Sequence, residues 1–191
     1  MDSNRPTNEE FKNCDRQSKC DFTASTYNYY VQNGYPVPEY LEMDKNGNLI
    51  PFGSPEANGS SREDVFLRWG NIVKAYEIKE CYDYPSNIYF KVLDGCICDD
   101  KKFPAFDELY AASGITTSWV ELYTDDKIRI WPLYKMDKEN LPRAPFRFRK
   151  WGIKKNSPKI VEIRPKLDVK DAIMIDRIRD KSINDDQQGD S

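Results

Sequence analysis

The sequence contains no histidine, which removes the commonest general base and the commonest metal ligand from its chemistry. It also has no apolar run approaching the roughly 18–20 residues that a membrane-spanning helix requires. Its opening stretch, MDSNRPTNEEFKNCDRQSKC, lacks the apolar core of a secretory signal. Synthesis in the cytosol is therefore expected, with any membrane approached from that side. Cysteines are few and odd in number, namely Cys14, Cys20, Cys81, Cys96 and Cys98. This is no disulfide framework, so reduced thiols are expected. Cys96 and Cys98 lack the second pair that a zinc site needs and read as small strand residues. Without a secretory route, the acceptor Asn58-Gly59-Ser60 carries no weight. Glycine-rich phosphate loops, a Gly-x-Ser-x-Gly elbow and kinase or dinucleotide signatures are all missing. No catalytic residue, metal or cofactor is expected, and the chain reads as a non-enzyme.

What is present is aromatic and charged. Twelve Tyr, nine Phe and four Trp are too many for a disordered polypeptide, while 32% charged residues make the whole chain polar. The net charge of −3 hides a strong asymmetry: residues 127–170 hold fourteen Lys and Arg against four Asp and Glu, and the blocks on either side are acidic. From Asn140 to Val161 there is no acid at all. The core of this block, RAPFRFRKWGIKK (143–155), sets Arg143, Arg147, Arg149, Lys150, Lys154 and Lys155 among Phe146, Phe148 and Trp151. Local clustering of this kind points to a polyanionic partner, either an anionic membrane surface or nucleic-acid phosphate.

The organisation read from the chain is a flexible arm over 1–60, a compact α+β domain over 61–183, and a disordered acidic tail over 184–191. The domain is expected to hold a small antiparallel sheet and a few short helices. Strands are expected at Ile72–Cys81, within NIYFKVLDGCIC, at Ser118–Tyr123 and Lys127–Leu133 as a hairpin, in PFRFRKW with a parity slip near residue 150, and in IVEIRPKL ended at Pro165. FPAFDELYAASG reads as a helix with Phe106, Leu109 and Tyr110 on one face and Gly114 as its stop. KDAIMIDRIRDKSIN reads as a terminal helix. The adjacent acids Asp99-Asp100, Asp107-Glu108 and Asp125-Asp126 fall at turns or helix starts, where local capping accounts for them. An acidic enzyme site built from Asp99 and Asp107 stands only as a rival reading. In the arm, YPVPEYL (35–41) has the proline and tyrosine content of a linear docking motif.

The order of these parts resembles the matrix proteins of rhabdoviruses. The resemblance rests on IYFKVLDGCICDDKKFPAFDELYAAS as strand, polar turn (Asp99 to Lys102) and short helix with Phe103, Phe106 and Leu109 inward, and on DDKIRIWPLY as the returning strand. A looser echo lies in Tyr35, Pro36, Pro38, Tyr40 and Leu41, similar to a late-domain motif, although Val37 stands where a full Pro-Pro-x-Tyr would have proline. The chain length is similar to that of the plant-infecting members. The resemblance implies a non-enzymatic assembly protein in the virion beneath the envelope and in host cytoplasm, at the inner membrane surface and in the nucleus. Its implied partners are the viral nucleocapsid, an anionic membrane, further copies of itself, and host sorting or ubiquitin-ligase factors. The basic run at 143–155 is the expected polyanion and membrane contact. A small RNA-binding accessory protein of the silencing-suppressor type is the alternative.

Overall fold

A computed structural model describes residues 8–57, 64–82, 84–87, 96–148 and 156–180. Its centre is a hairpin. Strands β3 (Val65–Trp69) and β4 (Ile72–Glu80) pair antiparallel with Trp69 opposite Ile72, leaving Gly70-Asn71 as a two-residue loop. Gly70 has φ 58°, the positive value that such tight hairpin turns demand and glycine adopts without steric cost. The remaining strands extend the sheet on both sides. They are β1 (Glu39–Met43), β2 (Leu49–Pro51), β6 (Thr116–Leu122), β7 (Lys127–Trp131) and β10 (Ile173–Asp176), and the sheet order is β10-β7-β6-β4-β3-β1-β2. All pairs are antiparallel except β4 with β6, which are joined by a crossover through helix α2 (Phe103–Ser113). A separate three-stranded sheet holds β5 (Cys96–Ile97), β9 (Ile160–Leu167) and β8 (Arg143–Phe148).

Alternation along the strands gives the sheet two apolar faces. One carries Val65, Leu67, Tyr76, Ile78, Val120, Leu122, Ile128 and Ile175 against Phe22 of helix α1 (Asn8–Gln32). The other carries Trp119 and Trp131 against Phe103 and Phe106 of α2, with Leu133, Cys98 and Leu167 beside them. Among the described residues the result is one compact α+β domain, mostly sheet, with two α-helices.

Several expectations need correction. Instead of a flexible arm over 1–60, residues 8–32 form α1 and residues 39–43 and 49–51 are sheet strands. Apolar periodicity does not announce α1 because its inward stripe is largely polar: Ser18, Asp21, Ser25 and Thr26 are buried beside Phe22. Ser25 and Thr26 donate to the carbonyls of Asp21 and Phe22 at 2.6 and 2.9 Å, and the Thr26 hydroxyl meets the Tyr40 phenol at 2.9 Å. The expected small antiparallel sheet is a mixed seven-stranded one. The expected terminal helix is strand β10, with a 3-10 turn at Val169–Asp171 before it. Ile175 and Arg177 are buried while Asp176 and Ile178 are exposed, so the inward period is two. Pro165 does not end β9, which runs on to Leu167.

Other expectations match what is seen. Helix α2 ends at Gly114 in the left-handed region with φ 72°, although Tyr110 points outward at 60% exposure rather than joining the buried face. Strands β6 and β7 form the expected hairpin. The parity slip near residue 150, the disordered tail at 184–191 and most of NIYFKVLDGCIC lie outside the described residues.

Candidate functional site

The basic run is only partly placed. Arg149, Lys150, Trp151, Lys154 and Lys155 lie outside the described residues. In β8 the alternation holds: Arg143, Pro145 and Arg147 are exposed, and Phe146 and Phe148 are half-buried. Those two rings stack with centroids 5.6 Å apart, and the Arg164 guanidinium of β9 sits 4.5 and 4.8 Å above them. Carboxylates meet much of this charge. Arg143 pairs with Asp100 at 2.9 Å, Lys101 with Glu162 at 2.7 Å, and Arg164 with Glu162 at 2.9 Å. The two cations hold the Glu162 carboxyl below its ordinary range, with the Lys101 hydrogen bond the largest cause.

The tyrosine and proline motif is not an exposed linear segment. Tyr35 and Pro36 are exposed, but Pro38 and Leu41 are buried and Tyr40 is half-buried. Tyr40 and Leu41 belong to β1, and the Pro36 carbonyl accepts a hydrogen bond from the Trp69 indole at 2.9 Å. A groove-binding partner would have to strip this segment from the sheet.

The rival acidic residues are not brought together either. Asp99 caps the 3-10 turn Asp100–Lys102, accepting from the Lys101 N–H at 3.1 Å, and Asp107 pairs with Lys138. Among the described residues, no group of three or more Cys, Asp and Glu is arranged to hold a metal ion.

A different constellation stands at the end of the β3–β4 hairpin. At the entrance to β3 the Asp64 N–H donates to the Tyr76 carbonyl at 3.1 Å and Val65 pairs with the same residue, so Asp64 and Val65 both stand opposite Tyr76 and the regular pairing ends there. Glu77 and Lys79, two residues apart on β4, share a face. Glu77 is 1% exposed, and its Oε1 receives Lys79 Nζ at 3.2 Å and Lys102 Nζ in closer contact. Asp64 Oδ2 accepts from the Ile78 N–H at 2.7 Å, while its Oδ1 faces Lys19 of α1 at 3.8 Å. Glu77 thus gathers Lys79 of β4 and Lys102 at the mouth of α2, while Asp64 at the β3 entrance faces Lys19 of α1.

This cluster is electrostatically strained. Burial, and then the neighbouring Glu77 charge, pushes the Asp64 carboxyl up to about 7. Burial also lowers the Lys79 pKa, with Glu77 opposing the shift. At Lys102 the same burial is outweighed by Glu77, and its pKa is raised. Lys79 is thus the lysine that releases its proton more readily and Lys102 the firmer counter-ion.

Two buried side-chain oxygens among the described residues have no hydrogen-bond partner, Glu77 Oε2 and Thr117 Oγ1. The β4–β6 register pairs Ala75 with Thr117 and Glu77 with Trp119, so the two orphans lie on adjacent strands, diagonal to one another on one face. An unsatisfied buried oxygen costs about 1–3 kcal/mol. The Lys102 and Lys79 side chains that meet Glu77 are 34% and 39% exposed, while Glu77 itself is buried.

Reading acids as adjacent pairs missed this site. Part of the signal was nonetheless in the sequence: Glu77 and Lys79 are two apart in a strand and so share a face. Comparison with protein-family models, curated proteins and solved structures gives no match.

Proposed function

We propose that this protein is a divalent-cation-dependent phosphodiesterase acting on nucleic acid, with Asp64, Glu77 and Lys79 as its working residues. One observation carries the reading: Glu77 is buried with Lys79 and Lys102 on one carboxylate oxygen and its other oxygen has no partner, while its charge acts on Asp64 at the entrance to β3. Magnesium is typically held by one or two carboxylates, with water and substrate phosphate completing its shell. A cation bound there supplies charge neutralisation at the scissile phosphate and lowers the pKa of bound water.

The side chains divide the remaining work. Glu77, with Asp64 at the neighbouring entrance to β3, would hold the cation against the end of the sheet. Lys79, its pKa lowered by burial, takes the proton of the attacking water as oxygen adds to phosphorus. The P–O ester bond then breaks and the leaving oxygen is protonated from solvent. The cation-rich segment that begins with Arg143 and Arg147 supports a polyanionic substrate. The test is cleavage of labelled single- and double-stranded DNA and RNA in Mg2+ or Mn2+. Cleavage should stop with chelator and fall by at least about a hundredfold in Glu77→Gln. Absence of cleavage on all four substrates, or full activity in Glu77→Gln, overturns the reading.

A second reading, the non-enzymatic assembly protein of matrix type, is favoured by one surface. Antiparallel pairing puts Arg143, Pro145 and Arg147 of β8 on the same face as Val161 and Ile163 of β9, and the last two are 53% and 58% exposed. A face of arginines and exposed aliphatics suits an anionic membrane, a nucleocapsid or RNA. Among the described residues no helix is long and apolar enough to cross a membrane, so attachment would be peripheral. Flotation with anionic vesicles that is lost in Arg147→Glu, in a protein without nuclease activity, would favour this reading over the first.

A further inference from the structure

Strand β3 reaches the hairpin tip with Trp69 opposite Ile72 of β4, and Lys74 follows on the same face two residues later. Further along, Tyr76 and Ile78 of this face pack with Phe22 of α1. At the tip Ile72 is 60% exposed, and Tyr134, in the 3-10 turn Leu133–Lys135, is 41% exposed. Lys74 Nζ lies 5.7 Å from the ring centroid of Trp69 and 5.7 Å from that of Tyr134, and Lys135 Nζ lies 5.8 Å from that of Tyr134. Two rings and two ammoniums therefore share one surface. The rings are held in place by the fold. The Trp69 indole N–H donates to the Pro36 carbonyl at 2.9 Å, and its ring meets Tyr30 edge-on with centroids 5.6 Å apart. Tyr134 sits in a turn closed by the Met136 N–H on the Leu133 carbonyl at 3.0 Å.

Carboxylates do not neutralise these cations. Among the described residues neither Lys74 nor Lys135 forms an ion pair, and Asp137, two positions beyond Lys135, accepts from the Asn140 amide at 2.7 Å. The small sheet differs, because Asp100 and Glu162 there meet Arg143, Lys101 and Arg164. A ring holds an exposed cation only weakly, so both ammoniums remain available to phosphate. Fixed rings beside unmatched cations suit a single strand: its bases stack on aromatic faces whatever their sequence, and its backbone is anionic throughout. A duplex keeps those base faces inside its own stack. We infer that Trp69, Lys74, Tyr134 and Lys135 form a binding platform for single-stranded nucleic acid, the lysines meeting backbone phosphates and the rings meeting bases. The platform lies on the α1 face of the sheet, and Glu77 lies beside Trp119 on the α2 face. It therefore does not rest on the proposed cleavage.

The experiment is a fluorescence-anisotropy titration of labelled oligothymidine, oligouridine and a DNA duplex with the full chain, in chelator and at several salt concentrations. The proteins are wild type, Lys74→Gln, Lys135→Gln, Trp69→Leu and Tyr134→Leu. Wild type should bind either single strand more tightly than the duplex. Trp69→Leu and Tyr134→Leu change no charge, and each should weaken single-strand binding on the order of tenfold. Each lysine variant should lower the dependence of log affinity on log salt by about 0.7, the value for one phosphate contact on a single strand. If Trp69→Leu fails to fold, Tyr134→Leu, whose ring is exposed, carries the comparison. No binding of either single strand by wild type, tighter binding of the duplex, or equal single-strand affinity in wild type and the ring variants overturns the platform. Flotation with anionic vesicles in place of oligonucleotide binding assigns the surface to a membrane and overturns it as well. Chelator suppresses metal-dependent cleavage throughout, so none of these outcomes bears on the Glu77 site.

Discussion

Asp64 carries a direct pH signature. Its carboxyl is raised to about 7 from an ordinary 3.8 by burial and by Glu77, so the folded chain holds this proton more tightly than the unfolded chain does. The stability gained from that proton is present in full below the unfolded value and is lost as pH rises through about 7. Asp64→Asn keeps an acceptor for the Ile78 N–H and removes the titration. Wild type should therefore lose ground to Asp64→Asn in urea midpoint between about pH 4 and pH 8. Parallel midpoints across that range would mean that the two carboxylates are not coupled in a buried site.

Arg177 is a second residue whose contribution is local. Its guanidinium, buried with Asp21, donates to Asp21 Oδ2 at 2.8 and 3.1 Å and to Glu80 Oε2 at 2.7 Å. It thereby joins α1, β4 and the chain leaving β10. Truncating one member of such a buried network typically costs about 3–5 kcal/mol, because the partner charges stay behind. Arg177→Met should lower unfolding free energy by about that much, whereas a loss within about 0.5 kcal/mol would mean that solvent already reaches the pair. Burial also raises the Cys20 and Cys98 thiols to about 11 and about 12. Both should resist thiol reagents in the native protein and react on unfolding; rapid native labelling would contradict their burial.

Among the elements, Gly114 gives the simplest test. It closes α2 at φ 72° with open space where a Cβ would go, so Gly114→Ala should cost about 1 kcal/mol through backbone strain alone. A neutral result would mean that the helix end relaxes. Elements with this kind of local signal were the ones legible in sequence: α2 with its glycine stop, the β6–β7 hairpin over Thr124-Asp125-Asp126, and the alternation in β8 and β9. Elements whose signal was polar or tertiary were not. Helix α1 turns serine, threonine and aspartate inward and satisfies them with Arg177, Tyr40 and its own carbonyls, which no hydrophobic pattern reveals. Strand β10 spaces its isoleucines like a helix but is fixed as a strand by pairing with β7. The candidate site was hidden for the same reason. Lys102 meets Glu77 from twenty-five positions away, a contact set by the crossover through α2, while the acids that stood out as adjacent pairs serve turns and surface ion pairs.

At the scale of the whole molecule, the seven-stranded sheet is the platform to which the two helices bring lysines against its carboxylates. Helix α1 brings Lys19 to Asp64, and the turn into α2 brings Lys102 to Glu77. The small sheet anchors that turn and presents Arg143 and Arg147 outward. The residues of the proposed catalytic site and the exposed arginines of β8 thus belong to connected parts of one domain. The most direct measurement of the central claim is single-turnover cleavage of an end-labelled oligonucleotide in saturating Mn2+ by wild type and Lys79→Met. The account predicts metal-dependent cleavage by wild type and a loss of about a hundredfold or more in the variant, with both proteins folded. Equal rates in the two proteins, or no cleavage by wild type, would contradict it.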